Sequence, residues 1–257
     1  GLGDVYKRQV KGELRGKTVE ANSYYDRYTR EEEKLVSYKE KGGFYRHIYS
    51  LPCRWRRAKY HDKVVRVYQQ GFDAPALLNN SEVIVSLTTF PPRISQLHLV
   101  LKSILWQTYV PADIIVWLSE QEFPGRLNDL PEELRKLTAN GVKFKFVPEN
   151  FRSHKKYYYV FREYPDHKVI TVDDDLIYPR NTIERLLSLS YQYPDTVCGN
   201  VIRKIRMDGN TFSVYRKWPK VFMMPVNSSL QNVAIGCGGI YYPSRWYGEE
   251  LFDWKII

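Results

Sequence analysis

Apolar residues recur along most of the chain in two alternating rhythms: short runs rich in β-branched and aromatic side chains, and longer stretches where they return every three or four positions. The run EVIVSLTTF, Glu82 to Phe90, reads as a buried strand ended by PPR. After it Ile94, Leu97, Leu101, Ile104 and Leu105 keep helical spacing up to Gln107. ADIIVWLSE, Ala112 to Glu120, predicts a second strand, and Pro131 to Asn140 a helix stopped by Gly141, since glycine accepts the left-handed conformation that ends helices. VKFKFVPEN, Val142 to Asn150, alternates apolar residues with lysine as an edge strand does. A helix over His154 to Tyr164 leads into KVITVDDDLIYP, Lys168 to Pro179, whose Val169, Ile170, Thr171 and Val172 suit a strand buried on both faces. A helix from Asn181 to Tyr191, with Ile183, Leu186, Leu187 and Leu189 on its apolar face, precedes a strand over Thr196 to Ile205 and a turn at MDGN. In AIGCGGIYYP, Ala234 to Pro243, the residues Gly236, Gly238 and Gly239 sit within an apolar strand pattern and indicate either close backbone approach or a bulge. Strands and helices alternating at this spacing imply an α/β fold, a mostly parallel Rossmann-like sheet flanked by helices with right-handed crossovers.

Ahead of Glu82 the character differs. Residues 1–9, GLGDVYKRQ, read as adapter-derived, non-native sequence and are set aside. Residues 10–80 read as a charged helical appendage, with one weakly amphipathic helix over Tyr25 to Lys41. Between Phe44 and Gln70, Arg46, Arg54, Arg56, Arg57, Lys59, Lys63 and Arg66 stand against the single acid Asp62, interleaved with aromatic residues. Such a mixture suits an anionic lipid surface, a solvated helix packed by its aromatic stripe, or a platform for single-stranded nucleic acid. GFDAPALLNN, residues 71–80, marks a linker before the main domain of residues 81–257.

The net charge of +10 favours an anionic partner without choosing one. Three widely spaced cysteines, Cys53, Cys198 and Cys237, indicate neither a disulfide framework nor a zinc site, and a cytoplasmic setting is expected. No segment reads as a signal peptide or transmembrane helix.

The chemistry concentrates at Asp173, Asp174 and Asp175, delivered by a buried strand to its own C-terminal end, where ligands bind in open α/β sheets. Three adjacent carboxylates repel, and a hard divalent ion is the simplest neutraliser. The alternatives are a solvated turn, or Asp175 as a cap for the following helix. Thr88, Thr89 and Arg93 follow the first strand, Ser119 and Glu120 the second, and Lys155 and Lys156 the third. Carboxylates, metal and Lys or Arg together are equipment for holding a diphosphate and stabilising it as it leaves.

TTFPPR, SILWQ, WLSEQEFP, SHKKY, ITVDDDLIYP and GCGGIYYP, in this order, resemble bacterial glycosyltransferases of the GT-A fold, related to the family 2 enzymes of capsule and lipopolysaccharide synthesis. The resemblance spans roughly Glu82 to Asp253. It implies a nucleotide-sugar donor, UDP-linked by family habit, with Mn2+ or Mg2+ on the acidic element and a glycan or lipid-linked acceptor. Asp175 would then be a metal ligand, Asp173 a metal or ribose contact, and Asp174 the ambiguous member. Thr88 and Pro91 would line the base, and Arg93 with Lys156 or Lys155 the diphosphate, with Glu120 also on the donor side. In inverting members the catalytic base follows a segment like ELFDWKII, so the domain is expected to be incomplete at its C-terminus. Glu249, Glu250 and Asp253 remain as weak candidates. Peripheral contact with the inner face of the cell membrane through residues 44–66 is expected, and nucleic acid is not. Two other readings compete. A haloacid-dehalogenase-type phosphatase is disfavoured by Ile177 and by the three strand–helix units that precede the acids. A non-catalytic nucleic-acid or membrane-binding protein is disfavoured by the acidic triplet, which repels phosphate backbones in the absence of a metal.

Overall fold

The apolar runs assemble into one sheet whose strands alternate their side chains between two cores. The structure is a computed structural model that describes residues 17–41, 48–70, 77, 81–222, 226–244 and 247–253. Residues 1–9, the start of the basic stretch at Phe44 and Arg46, nearly all of the expected linker, and Trp254 to Ile257 lie outside the described residues.

Helices α1 (Lys17–Lys41) and α2 (Ser50–Gln70) form a hairpin ahead of the sheet. There follow β1 (Val83–Thr88), α3 (Leu97–Leu105), β2 (Asp113–Ser119), α4 (Glu132–Lys136), β3 (Val142–Val147), α5 (Lys155–Glu163), β4 (Lys168–Thr171) and α6 (Thr182–Gln192). The remaining strands are short: β5 (Cys198–Gly199), β6 (Val201–Lys204), β7 (Met207–Asp208), β8 (Thr211–Phe212), β9 (Lys220–Phe222), β10 (Asn232–Ala234) and β11 (Ile240–Tyr242).

The main sheet has the order β3-β2-β1-β4-β11-β5. β1 pairs in parallel with β2 on one side and β4 on the other, and β2 with β3, while β11 runs antiparallel to both β4 and β5. Val83, Val85 and Leu87 of β1 and Ile114, Val116 and Leu118 of β2 face a core shared with α3 and α6. Ile84, Ile115, Trp117 and Val169 face Val160 and Phe161 of α5. This period of two with both faces apolar is what a sheet covered on both sides requires. The architecture is therefore α/β, a mixed but mostly parallel six-stranded sheet flanked by helices, consistent with a Rossmann-like fold. Between β1 and β4 the strand order reverses, and that reversal opens a crevice beyond the strand tips.

Several expected boundaries shift. The first helix begins at Lys17, not Tyr25, and its Tyr25, Tyr28 and Leu35 are buried against α2 and the domain. The helix expected over Pro131 to Asn140 divides into α4 and a 3-10 turn, Leu137–Asn140, ended by Gly141 at φ 93°. The strand expected over Thr196 to Ile205 breaks at Asn200, whose buried amide donates to Gly238 O at 2.9 Å, so β5 stays in the main sheet and β6 joins β9 and β10 in a second one. The glycines of AIGCGGIYYP are not inside a strand. Gly236–Gly238 form a 3-10 turn that carries the chain from the second sheet to β11, and Gly239 at φ 80° completes the reversal.

The hairpin is bound to the domain by polar as well as apolar contacts. Tyr25, Tyr28, Val64 and Tyr68 pack with Trp106, and Lys102 of α3 donates to the Tyr68 carbonyl. Of the basic residues on α2, Arg56 pairs with Glu31 at 3.0 Å and Arg57 with Glu32 at 2.6 Å, both on α1. No helix among the described residues is long and apolar enough to cross a membrane.

Candidate functional site

At the C-terminal edge of the sheet, directly over the β1–β4 reversal, lies a cleft of about 700 Å3. That is within the usual range for small-molecule sites. The β1 exit contributes Thr88, Thr89, Phe90 and Arg93, the β3–α5 connection contributes Asn150, Arg152, Ser153, Lys155 and Lys156, and the β4 exit contributes Val172 through Asp175. The register explains why these meet: Val83 to Ser86 of β1 lie beside Lys168 to Thr171 of β4, so both chains leave the sheet at one level.

The three acids have different environments. Asp174 is buried, and both its oxygens are engaged: Thr89 Oγ1 donates to Oδ2 at 2.7 Å and Arg93 Nη1 to Oδ1 at 2.7 Å. Asp173 accepts from Lys156 Nζ at 2.6 Å. Asp175 is about half exposed and lies 3.1 Å from Arg93 Nη1. The backbone around them is held in shape. The Asp173 N–H donates to the buried Tyr178 hydroxyl at 2.7 Å, Val172 N–H to Ser86 O at 3.1 Å, and Tyr178 N–H to Ser103 Oγ at 3.1 Å. Burial, and then the Asp173 charge, push the Tyr178 phenol well above its ordinary pKa, so it stays protonated. Opposite the acids, Gly236 comes so close that a Cβ there would lie 3.0 Å from Asp173 Oδ1. The close approach expected of that glycine is made to the chain's own carboxylate.

Arg93 and Lys156 therefore supply cations among the three acids, and the charge that suggested a divalent ion is partly balanced by the protein itself. Among the described residues, no group of three His, Cys, Asp or Glu is arranged to hold a metal. A Mg2+-like ion needs only one or two carboxylates when phosphates and water complete its shell. Asp173 and Asp175 are a donor set of that kind, whereas Asp174 has no oxygen left over.

The other expected residues divide in the same way. Thr88 lines the cleft, with its hydroxyl donating to Trp117 O at 2.7 Å. Lys155 is turned inward: its ammonium is buried, donates to Asn150 Oδ1 at 2.6 Å and pairs with Glu122 at 3.5 Å, and burial lowers its pKa. It ties the β3–α5 connection together, and Lys156 faces the acids. Pro91 is exposed and Glu120 pairs with Arg126, neither on the cleft wall. Glu249, Glu250 and Asp253 are exposed on or beside the 3-10 turn Glu249–Phe252 and do not line the cleft, while Phe252 packs on Tyr158 of α5.

Phe90, Glu122, Asn150, Arg152 and Ser153 also line the cleft and were not expected there. Arg152 sits at φ 50°, its N–H bonded to Asn150 Oδ1 at 3.1 Å. An asparagine two residues ahead of such a position is a recognisable turn signal. No family model matches this chain, and no curated protein does.

Proposed function

We propose that the chain is a glycosyltransferase of the GT-A type. It would move a sugar from a nucleotide-diphosphate donor, UDP-linked in the first instance, to a hydroxyl of a surface-polysaccharide or lipid-linked acceptor, with metal assistance and inversion at the sugar carbon. The observation that carries the reading is the convergence of Arg93, Lys156 and three aspartates in one cleft at the strand-order reversal. A cleft that held only acids would repel a diphosphate, and one that held only cations would have no oxygen ligands for a divalent ion.

In this reading Asp173 and Asp175 hold Mn2+ or Mg2+, and Asp174 sets the position of Arg93. The ion, when bound, supplies Lewis-acid stabilisation to the departing diphosphate. Arg93 and Lys156 exchange part of their contact with the acids for phosphate oxygens, placing positive charge where negative charge develops. The bond from the sugar carbon to the diphosphate oxygen breaks as the acceptor oxygen bonds to that carbon, and the acceptor proton goes to a base that the described lining does not assign. The protein would work in the cytoplasm at the inner membrane face, with residues 44–66 contributing peripheral contact.

Calorimetry with UDP, with and without Mn2+, tests the proposal. Binding that requires the metal supports it, and equal affinity in EDTA removes the metal. Turnover of phosphate monoesters without any affinity for UDP would replace the reading with a phosphatase.

A further inference from the structure

The second sheet carries a surface that the donor cleft does not use. Between Arg203 and Lys220 the chain holds six Arg or Lys against one acid, Asp208. In the same stretch Met207, Phe212, Val214 and Tyr215 are all exposed, Phe212 at 69%. Hydrogen bonds within the segment hold the surface together. Ser213 N–H donates to Arg206 O at 2.8 Å, closing the β7–β8 hairpin, and the Trp218 indole donates to Ser213 O at 2.9 Å. Arg203 is used internally, donating to Tyr215 O and Trp218 O and stacking on the Tyr215 ring at 4.4 Å. Lys204, Arg206, Arg216 and Lys217 are exposed around the apolar tip.

We infer that this hairpin and the turn after it, residues 204–217, form a docking surface for an anionic lipid bilayer. Basic side chains flanking a projecting cluster of apolar and aromatic ones match a lipid interface, where the charges meet headgroups and the apolar tip enters the acyl boundary. Phe212 and Tyr215 could stack on bases, but Met207 and Val214 have no ring, and an exposed aliphatic share of this kind suits an acyl boundary better than a stacking platform. A second copy of the chain would bring the same excess of positive charge to the contact and be repelled.

The position of the surface gives it a use. β5 runs parallel to β4, because each pairs antiparallel with β11, so the chain leaves β5 at the edge of the sheet that carries the cleft. Ala234 pairs with Ile202, two residues before Gly236 meets Asp173. From Ile202 to Arg206 the chain spans only about 13 Å of extended backbone. A bilayer held by the hairpin would lie beside the cleft mouth, where a lipid-linked hydroxyl could enter. Vesicle binding itself does not depend on the donor reading.

The test is sedimentation of the full chain with vesicles of phosphatidylcholine containing about one-third phosphatidylglycerol, against phosphatidylcholine alone. Binding is expected only with the anionic lipid and should weaken steeply with added salt. M207S/F212S should weaken it about tenfold or more, and R216Q/K217Q about 10–30-fold, from roughly fivefold per charge. All four side chains are exposed, and unchanged melting of both variants separates loss of docking from loss of fold. Full vesicle binding by both hairpin variants would overturn the inference and leave the contact to residues 44–66, where R54Q/K59Q on α2 would then abolish it. Equally tight binding of a single-stranded oligonucleotide, lost in the same hairpin variants, would reassign the surface to nucleic acid.

Discussion

Adjacent aspartates with unlike surroundings should respond oppositely to one substitution. In Asp174→Asn the amide can keep its oxygen toward Arg93 and turn its nitrogen to the Thr89 hydroxyl, which can accept, so both contacts survive as neutral-acceptor bonds. Hydrogen bonds to a charged group contribute about 1.5–3 kcal/mol and neutral ones about 0.5–1.5, a loss of about 1–1.5 kcal/mol per bond. Arg93 is nearly half exposed, so its share is about halved by solvent. The expected destabilisation is about 1.5–2 kcal/mol, or roughly 3–8 °C in Tm for a chain of this size. Asp175→Asn touches a half-exposed carboxylate with one contact to the same guanidinium, and should stay within about 0.5 kcal/mol of the parent. Metal-dependent UDP affinity should show the reverse order. Loss of an outer-shell partner alone costs about 10–100-fold in metal affinity, so removing a direct ligand in Asp175→Asn should cost at least about 100-fold. Asp174→Asn should keep its response to EDTA. Thermal melts and calorimetry on both variants provide the two readouts. If Asp174→Asn melts like the parent yet loses the metal response, the assignment of Asp174 as the positioning acid is wrong.

The two lysines should separate likewise. Lys156→Met is expected to weaken UDP binding at least about tenfold, while Lys155→Met takes the buried cation from half-buried Glu122 and one bond from Asn150 Oδ1, which keeps the Arg152 N–H, and should cost about 1–3 kcal/mol, read by urea unfolding. Gly238→Ala would press a methyl to 3.0 Å from the Val201 backbone nitrogen and should destabilise by about 1–3 kcal/mol, whereas at Gly236→Ala the nearest neighbours belong to the Asp173 carboxylate, and the change should lower UDP affinity with a nearly unchanged melt. Burial disfavours the Glu31 charge, but hydrogen bonds from Lys34 and Arg56 prevail and hold its carboxyl below the ordinary 4.5. This stability is therefore present above the ordinary pKa and lost as pH falls through the lowered one, and the extra loss on melting from pH 6 to pH 3 should be reduced in Glu31→Gln.

The pattern of the chain announces β1, β2 and β4 because each is a run rich in β-branched residues crossing a core covered on both faces, and β3 because its apolar residues alternate with lysine as at a sheet edge. The C-terminal third is harder to read, since β5 and β6 follow each other in one strand-like stretch with only Asn200 between them. Only a tertiary contact, the Asn200 amide on Gly238 O, sends its two halves to different sheets. At the site, Asp173 to Asp175 and Arg93 are legible as charged residues at strand exits. The division of labour among them is not, because it depends on which oxygen meets Thr89, some 85 residues away. Lys155 and Lys156 are equivalent in sequence and separate only when helix geometry turns one inward and the other to the acids.

The helical hairpin bears on the site for a related reason. Its charges read as material for an external surface, yet Arg56 and Arg57 of α2 bond to Glu31 and Glu32 of α1, and α1 reaches the segment just after the acidic loop. Thr29 Oγ1 accepts the Arg180 N–H at 3.4 Å, Asp26 pairs with the Arg180 guanidinium at 3.5 Å, and Glu33 accepts from Asn181 and Arg185 at 3.3 Å. On the other side of the cleft, α2 receives Lys102 of α3, the helix that follows Arg93. Both chain segments leading away from the facing charges are thus fastened to one body outside the sheet. A loop with three carboxylates gains conformational freedom if released, because repulsion favours spreading them apart. Fastening its far end at residues 180–185 keeps Asp173 and Asp175 on the cleft wall: Asp26, Thr29 and Glu33 of α1 make that anchorage, and Arg56 and Arg57 of α2 hold α1 in turn.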